Sequence, residues 1–338
     1  MTARERFHAI MNFQPFDRLP IVEWASWWDK TLQRWHSEGM PIQPDGAKRY
    51  EIYRHHGMDV YKQNWVAPRS RGCPQPASHG APIISSMEDY ERLKQHLFPW
   101  PCLDEKMWRA WADEQKQLGH VLWFTLDGFF WFPRTLLGIE QHLYAFYDQP
   151  GLMHRMNTDL SEWMLKVIDG ICSFCTPDFM TFGEDMSYNH GPMLSKELFD
   201  EFMTPYYARV VPRLKERGIR VIVDSDGDIT VPCAWFEDAG VEGILPLERQ
   251  SGVDINRLRA EHPKMLFIGH YDKMVMNKGE AAIRAEFERL LPAAGRGGFI
   301  PSVDHQTPPG VSYKEYLLYL ELFREYAAKA GALSQSKG

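Results

Sequence analysis

Short apolar runs alternate with longer amphipathic stretches along the whole of this chain. The runs are Pro20–Glu23, Val60–Trp65, Val121–Leu126, Phe179–Gly183, Arg220–Val223, Gly243–Pro246, Met265–Gly269 and Phe299–Val303. Most are rich in β-branched or aromatic residues and end at Gly, Pro or a charge, as strands buried on both faces do. Between them the apolar spacing predicts helices, most clearly over Leu152–Cys172, Lys196–Arg217, Ala281–Leu291 and Tyr313–Ala330. Strand and helix signals in strict alternation predict an α/β fold, a single (β/α)8 TIM barrel over residues 1–332. The barrel includes an N-terminal extension, and a disordered tail is expected over 333–338. An open doubly wound sheet would carry a glycine fingerprint after its first strand, and the sequence has none.

In a barrel, side chains at the C-terminal ends of the strands face one mouth. Here those positions hold Glu23, Asn64, Asp127, Glu184, Asp185, Asp224, Asp226, Glu248, His270, Asp272, Asp304 and His305. So many acids in one cleft repel unless a cation, a proton or arginines compensate them. Arg220 and Lys273 are the nearest candidates in sequence for that compensation. In the stretch IRVIVDSDGD, Asp228 is expected to cap a helix over Ile229–Ala239, with Pro232 in its first turn. That leaves Asp224 and Asp226 for chemistry. The Pro- and Gly-rich segment Ala67–Pro82 is a long second βα loop and is expected to wall the site.

Composition narrows the partners. A formal net charge of −7 with no basic block excludes nucleic acid as the main ligand. The chain has no 18-residue apolar stretch and its opening MTARERFHAI has no signal-peptide core, so a soluble, cytoplasmic protein is expected. Five cysteines predict reduced thiols, and the pair Cys172 and Cys175 finds no second C-x-x-C with which to complete a tetrahedral zinc site. Several of the twelve tryptophans cluster in VEWASWWDK and GFFWFPR, a grouping suited to lining a pocket.

Four blocks together resemble the uroporphyrinogen decarboxylase superfamily, which also contains corrinoid-dependent methyltransferases. They are RERFHAIMNFQPFDRLPI, GEDMSYNHGPMLSKELFDEFMTPYY, VDSDGD and GGFIPSVDHQTPPGVSYKEYLLYL, in family order from Ala3 to Tyr326. The resemblance implies a (β/α)8 barrel with its site at the C-terminal mouth. Two departures are informative. The decarboxylase motif of type M-R-Q-A-G-R-Y is replaced by Glu23-Trp24-Ala25-Ser26-Trp27-Trp28, and the aspartate motif F-S-D-I-L by Tyr61-Lys62-Gln63-Asn64-Trp65. A mouth this acidic and without those arginines is unsuited to uroporphyrinogen. Asp224 and Asp226 stand where the zinc methyltransferases of the superfamily have H-x-C, and no cysteine follows Cys233, which removes a thiolate zinc site. His305 matches a histidine that the family keeps at the eighth strand.

The resulting expectation is a methyltransferase that takes a methyl group from a small methoxylated or methylamine-like molecule and gives it to a corrinoid. Lacking a D-x-H-x-x-G signature, the chain would receive the corrinoid from a partner protein. His305, Asp226 and Glu184 are the expected catalytic residues, and Trp24, Trp27, Trp28, Asn64, Trp65, Asp127, Trp131 and Tyr188 the substrate-binding ones. A divalent Zn, Mn or Fe ion would be held by Asp224, Asp226, His270 and His305. The family resemblance further suggests a homodimer. One alternative is a carboxy-lyase acting on a carboxylated aromatic or tetrapyrrole substrate, with Arg69, Arg71 or Arg134 placed beside Asp127. The other is a barrel that binds a ligand without turnover.

Overall fold

The computed structural model describes residues 1–45 and 48–336. The fold is α/β, and the chain divides into two compact units. One comprises Gln63–Asp113 and Leu122–Glu242 and is called here the central unit; the other comprises Met1–Lys62, Glu114–Val121 and the chain from Gly243 onward, the terminal unit.

The central unit is built on most of β1 (Tyr61–Val66, from Gln63) and β2 (Val121–Asp127, from Leu122) with β3 (Phe179–Gly183) and β6 (Arg220–Asp224), hydrogen-bonded in that order. Strand β3 is parallel to both β2 and β6. Every residue of β2 and β3 is buried, which is why these strands read as continuous apolar runs and not as alternating ones. A short hairpin, β4 (Ser187–Tyr188) and β5 (Gly191–Pro192), follows β3 and has no counterpart in the sequence-based reading. The helix expected over Lys196–Arg217 is two, Lys196–Phe202 and Thr204–Glu216. Pro205 opens the second; it has no N–H for the preceding turn and so breaks the run at Met203. An aromatic core of Phe129, Phe182, Phe199, Tyr207 and Phe236 joins these helices to the sheet.

In the terminal unit β7 (Gly243–Leu245), β8 (Leu266–Tyr271) and β9 (Phe299–Val303) pair in parallel, covered by helices Glu280–Ala294 and Tyr313–Gln335. The predicted strand Pro20–Glu23 is not one. Pro20 offers no N–H, Ile21 exchanges its backbone bonds with Asp59, and Leu19 donates to the carbonyl of Ala327, so no ladder forms. The opening motif is an ion-pair knot: buried Arg6 reaches Asp17 and Asp59, and Arg18 also pairs with Asp59. The last helix runs to Gln335, so the tail expected from residue 333 begins inside it; residues 337 and 338 lie outside the described residues. No helix among the described residues is long and apolar enough to cross a membrane.

Candidate active site

Register brings the central unit's polar residues together. Asp127, Gly183 and Asp224 are direct cross-strand partners at the C-terminal ends of β2, β3 and β6, with Thr125, Thr181 and Ile222 one layer below. Successive side chains alternate between faces, so all six positions share one face. Gln63 and Trp65 of β1 lie on it too: Gln63 donates to Thr125 at 2.9 Å, and Trp65 Nε1 donates to Asp127 Oδ1 at 2.8 Å. Gly183 makes room for that indole, since a Cβ there would stand 3.2 Å from Trp65 Cζ2. Half of Trp65 remains exposed (50%). Asn64 faces the other way and donates to Met107 Sδ at 3.5 Å, so the expectation that it contacts substrate is corrected by the strand's own period of two.

Beyond β3 and β6 the chain assembles three carboxylates. Asp185, Asp224 and Asp226, all half-buried, each present an oxygen within 4.8 Å of the others. Asp185 sits at φ +41°, a left-handed conformation that Asp tolerates better than most side chains, and its Oδ1 accepts the Asp226 amide at 3.2 Å. Gly227, at φ +84°, lets the loop lie against the hairpin; a Cβ there would be 2.7 Å from the Ser187 carbonyl. Burial, then repulsion from Asp185 and Asp226, holds Asp224 well above the usual carboxylate range. Asp127 is raised as well, chiefly by burial, and drawn back by Trp65 and Arg69.

The neighbouring acids are structural. Glu184 is fully buried and accepts the amides of Phe129 (2.8 Å), Phe130 (2.7 Å) and Trp131 (3.4 Å) and the Tyr207 hydroxyl. It thereby satisfies the free N–H groups that open the helix Trp131–Leu137. Burial pushes its pKa to about 7 while the four donors pull the other way. Gly128 is the condition for this cradle, because a Cβ would sit 2.1 Å from Glu184 Cδ. The expected catalytic role of Glu184 therefore gives way to a capping role, and Asp185 is the acid that joins the cluster. Asp228 accepts from Thr230 N at 3.0 Å, capping a turn; the helix starts later, at Pro232, not at Ile229.

A cavity of about 190 Å³ lies between the loop after β1 and the helix Trp131–Leu137, bounded by Arg69, Gln75, His79, Trp131, Arg134 and Ile139 among others. Arg134 reaches from it to the loop after β3, donating to the Asp185 backbone carbonyl at 3.1 Å with its guanidinium 5.2 Å from the Trp131 ring centre. Tyr188, half-exposed on the hairpin, holds the Asp228 amide through its carbonyl. Arg220 pairs with Glu242, and Lys273, in the terminal unit, with Asp304.

The terminal unit holds the other predicted residues. Trp24 donates to the Val303 carbonyl at 2.6 Å and meets His305 edge-on, ring centres 6.3 Å apart. Trp27 is buried (4% exposed) against Trp35, Tyr53 and Tyr316, so it is core and not a substrate platform. Trp28 is exposed at the start of the helix Asp29–Ser37. His270, at φ +69°, has both ring nitrogens engaged: Nδ1 donates to Leu247 O at 2.8 Å, and Nε2 accepts from Ile255 N and Arg289. Burial and Arg289 lower its pKa to about 4. In this arrangement His270 has no lone pair for a metal, which corrects that expectation. The carboxylate group of three contains no histidine; its all-oxygen donors fit a hard divalent cation better than zinc.

The sequence model described as uroporphyrinogen decarboxylase (URO-D) matches residues 135–326, more than half of the chain. The chain belongs to the uroporphyrinogen decarboxylase family. It is 23% identical over 347 residues to the uroporphyrinogen decarboxylase of Pseudomonas paraeruginosa, covering 94% of this chain and 83% of that protein. With the uroporphyrinogen decarboxylase of Pseudomonas aeruginosa LESB58 the identity is 26% over 189 residues, 54% of this chain and about half (51%) of the relative. Among solved structures, a methyltransferase from Methanosarcina mazei shares the fold with a TM-score of 0.65 at 13% identity, covering 96% of this chain and 98% of that one. The curated relatives are named uroporphyrinogen decarboxylases, and at 23–26% identity membership in the family fixes fold and ancestry and leaves the reaction to the site.

Proposed function

We propose that this member of the uroporphyrinogen decarboxylase family is a methyltransferase that demethylates a small methoxylated aromatic and passes the methyl group to a Co(I) corrinoid carried by a separate protein. The finer fold is part of the same reading: a complete (β/α)8 barrel, supported by the parallel strand order within each unit and by the full-length fold match.

The observation that carries the proposal is the trio Asp185, Asp224 and Asp226 beside an aromatic, half-open row of strand ends. Breaking an aryl C–O bond leaves an electron pair on oxygen, and a phenolate is a poor leaving group unless protonated. Asp224, kept protonated by burial and by its two neighbours, is suited to give that proton as general acid. The cobalt nucleophile attacks the methyl carbon, the C–O pair goes to oxygen, and the Asp224 proton completes the phenol; water then returns a proton to Asp224. A divalent cation, if held by the oxygens of Asp185, Asp224 and Asp226, would displace the Asp224 proton and supply Lewis-acid stabilisation of the leaving oxygen in its place. Trp65, oriented by Asp127 and seated over Gly183, offers a ring face to stack against the substrate.

One observation favours a second reading, a carboxy-lyase: Arg69 acts on Asp127, an acid raised by burial, and lines the same cavity as Arg134. The test separates the two. The protein is incubated with Co(I) corrinoid protein and a panel of methoxyarenes, with and without carboxylates, while the methyl-Co(III) spectrum and released CO2 are followed together. Methyl-Co(III) without CO2 supports methyl transfer; CO2 without a cobalt change supports the lyase and refutes the primary reading.

A further inference from the structure

We propose that the cavity between the loop Ala67–Pro82 and the helix Trp131–Leu137 binds the carboxylate end of a one-ring aromatic acid, with Arg69 and Arg134 as its cationic clamp and Trp131 as its flat wall. The inference rests on taking the strand ends of the central unit as the substrate site, and it holds whichever reaction occurs there.

Charge singles out these two arginines. In a chain of net charge −7, arginines such as Arg6, Arg18, Arg213 and Arg284 sit on carboxylates. Arg69 and Arg134 do not: among the described residues neither guanidinium forms an ion pair, although both bound the same cavity. Among the described residues the Arg134 guanidinium makes one hydrogen bond, to a backbone carbonyl, and lies over an indole; both contacts orient it without neutralising it. Arg69 is influenced by Asp127, whose oxygen is already bonded to Trp65. Two half-buried guanidiniums that bound one space, neither in an ion pair among the described residues, offer an anion opposite charge from two sides. Their planar forks match a carboxylate.

The remaining walls define what the anion is attached to. Trp131 and Ile139 provide apolar surface, and Gln75 and His79 add polar edges at the exposed side. At about 190 Å³ the cavity is smaller than the roughly 300–1,000 Å³ typical of drug-sized ligand sites, which limits the ligand to about one ring. A bare phosphate would leave the indole face uncovered, so an aromatic carboxylate fits the lining better. Arg134 lines the cavity and also holds the Asp185 main chain, which sets the clamp next to the loop that carries the carboxylate trio.

The experiment is calorimetric titration of the full chain, without corrinoid, using 4-methoxybenzoate, its uncharged analogue 4-methoxybenzamide, and inorganic phosphate. The acid should bind at least ten-fold more tightly than the amide and more tightly than phosphate. Arg69→Gln should weaken the acid at least ten-fold and leave the amide unchanged. Arg69→Lys, which keeps the charge and guards against a folding defect, should fall between. Trp131→Leu should weaken acid and amide alike. Equal affinity for acid and amide, an unaffected Arg69→Gln variant, or phosphate binding that exceeds the acid would each overturn the inference. Acid binding without methyl transfer leaves this inference standing and removes the methyltransferase reading; methyl transfer from uncharged anisoles alone does the reverse.

Discussion

Replacing Asp224 by Asn should make the protein more stable, and only above a certain pH. Asp224 has two carboxylate neighbours with oxygens within 4.8 Å. At an effective dielectric of about 20, each such pair costs about 3 kcal/mol when both are charged. Partial exposure and salt roughly halve that for each of the two pairs, so the net gain for Asp224→Asn is about 3 kcal/mol, on the order of 4 °C in Tm for a chain of this size. The sign follows from the raised pKa. Below about pH 4, near the unfolded value, Asp224 is protonated in both states and Asn gains nothing. As pH rises toward the folded value, the unfolded chain ionises first and wild-type stability falls, while the variant is unaffected. Urea unfolding of both proteins between pH 4 and pH 8 at low salt measures the gap directly. A gap that does not change with pH, or a variant that is less stable throughout, would refute the idea that Asp224 is an acid held against its neighbours.

Millimolar Mn²⁺ should reverse that order at pH 7.5, raising the Tm of the wild type and not of Asp224→Asn or Asp226→Asn; a stabilisation of about 3 kcal/mol corresponds to a concentration near 100 Kd. Gly128→Ala should cost about 3 kcal/mol or more in unfolding free energy, because the new methyl occupies the place of the Glu184 carboxyl and releases three amides and a tyrosine hydroxyl. His270→Phe should cost about 2–4 kcal/mol through the unpaired Ile255 amide and Arg289, yet leave Mn²⁺ stabilisation intact. Loss of the Mn²⁺ response without loss of stability would instead make His270 a ligand.

The strands were the most legible part of the chain, for a physical reason. β2, β3 and β6 are apolar runs closed by glycine or acid, and no helix period competes with them. Pro20–Glu23 carries the same signature, but Ile21 bonds the side chain and backbone of Asp59 and the adjoining Leu19 a carbonyl inside the last helix, partners distant in sequence that no local pattern reveals. At the site the informative signal was alternation. Counting by two from Gly183 leads to Asp185, and from Asp224 to Asp226, while Glu184 and Asn64 fall on the opposite face. That count alone separates the clustered acids from the capping one. It does not foresee that Glu184 meets amides from 129–131, because those come from another strand's loop. Nor does it tell Trp27 from Trp28: the adjacent indoles differ in burial through helices packed from the far end of the chain.

The measurement closest to the central claim is single-turnover demethylation of 4-methoxybenzoate in the presence of Co(I) corrinoid protein, comparing wild type with Asp224→Ala. The account predicts methyl-Co(III) and the corresponding phenol from the wild type, with the rate reduced at least a hundred-fold in the variant, the scale of a lost general acid. Unchanged methyl transfer by Asp224→Ala, or no methyl-Co(III) from a wild type that binds the acid, would contradict it.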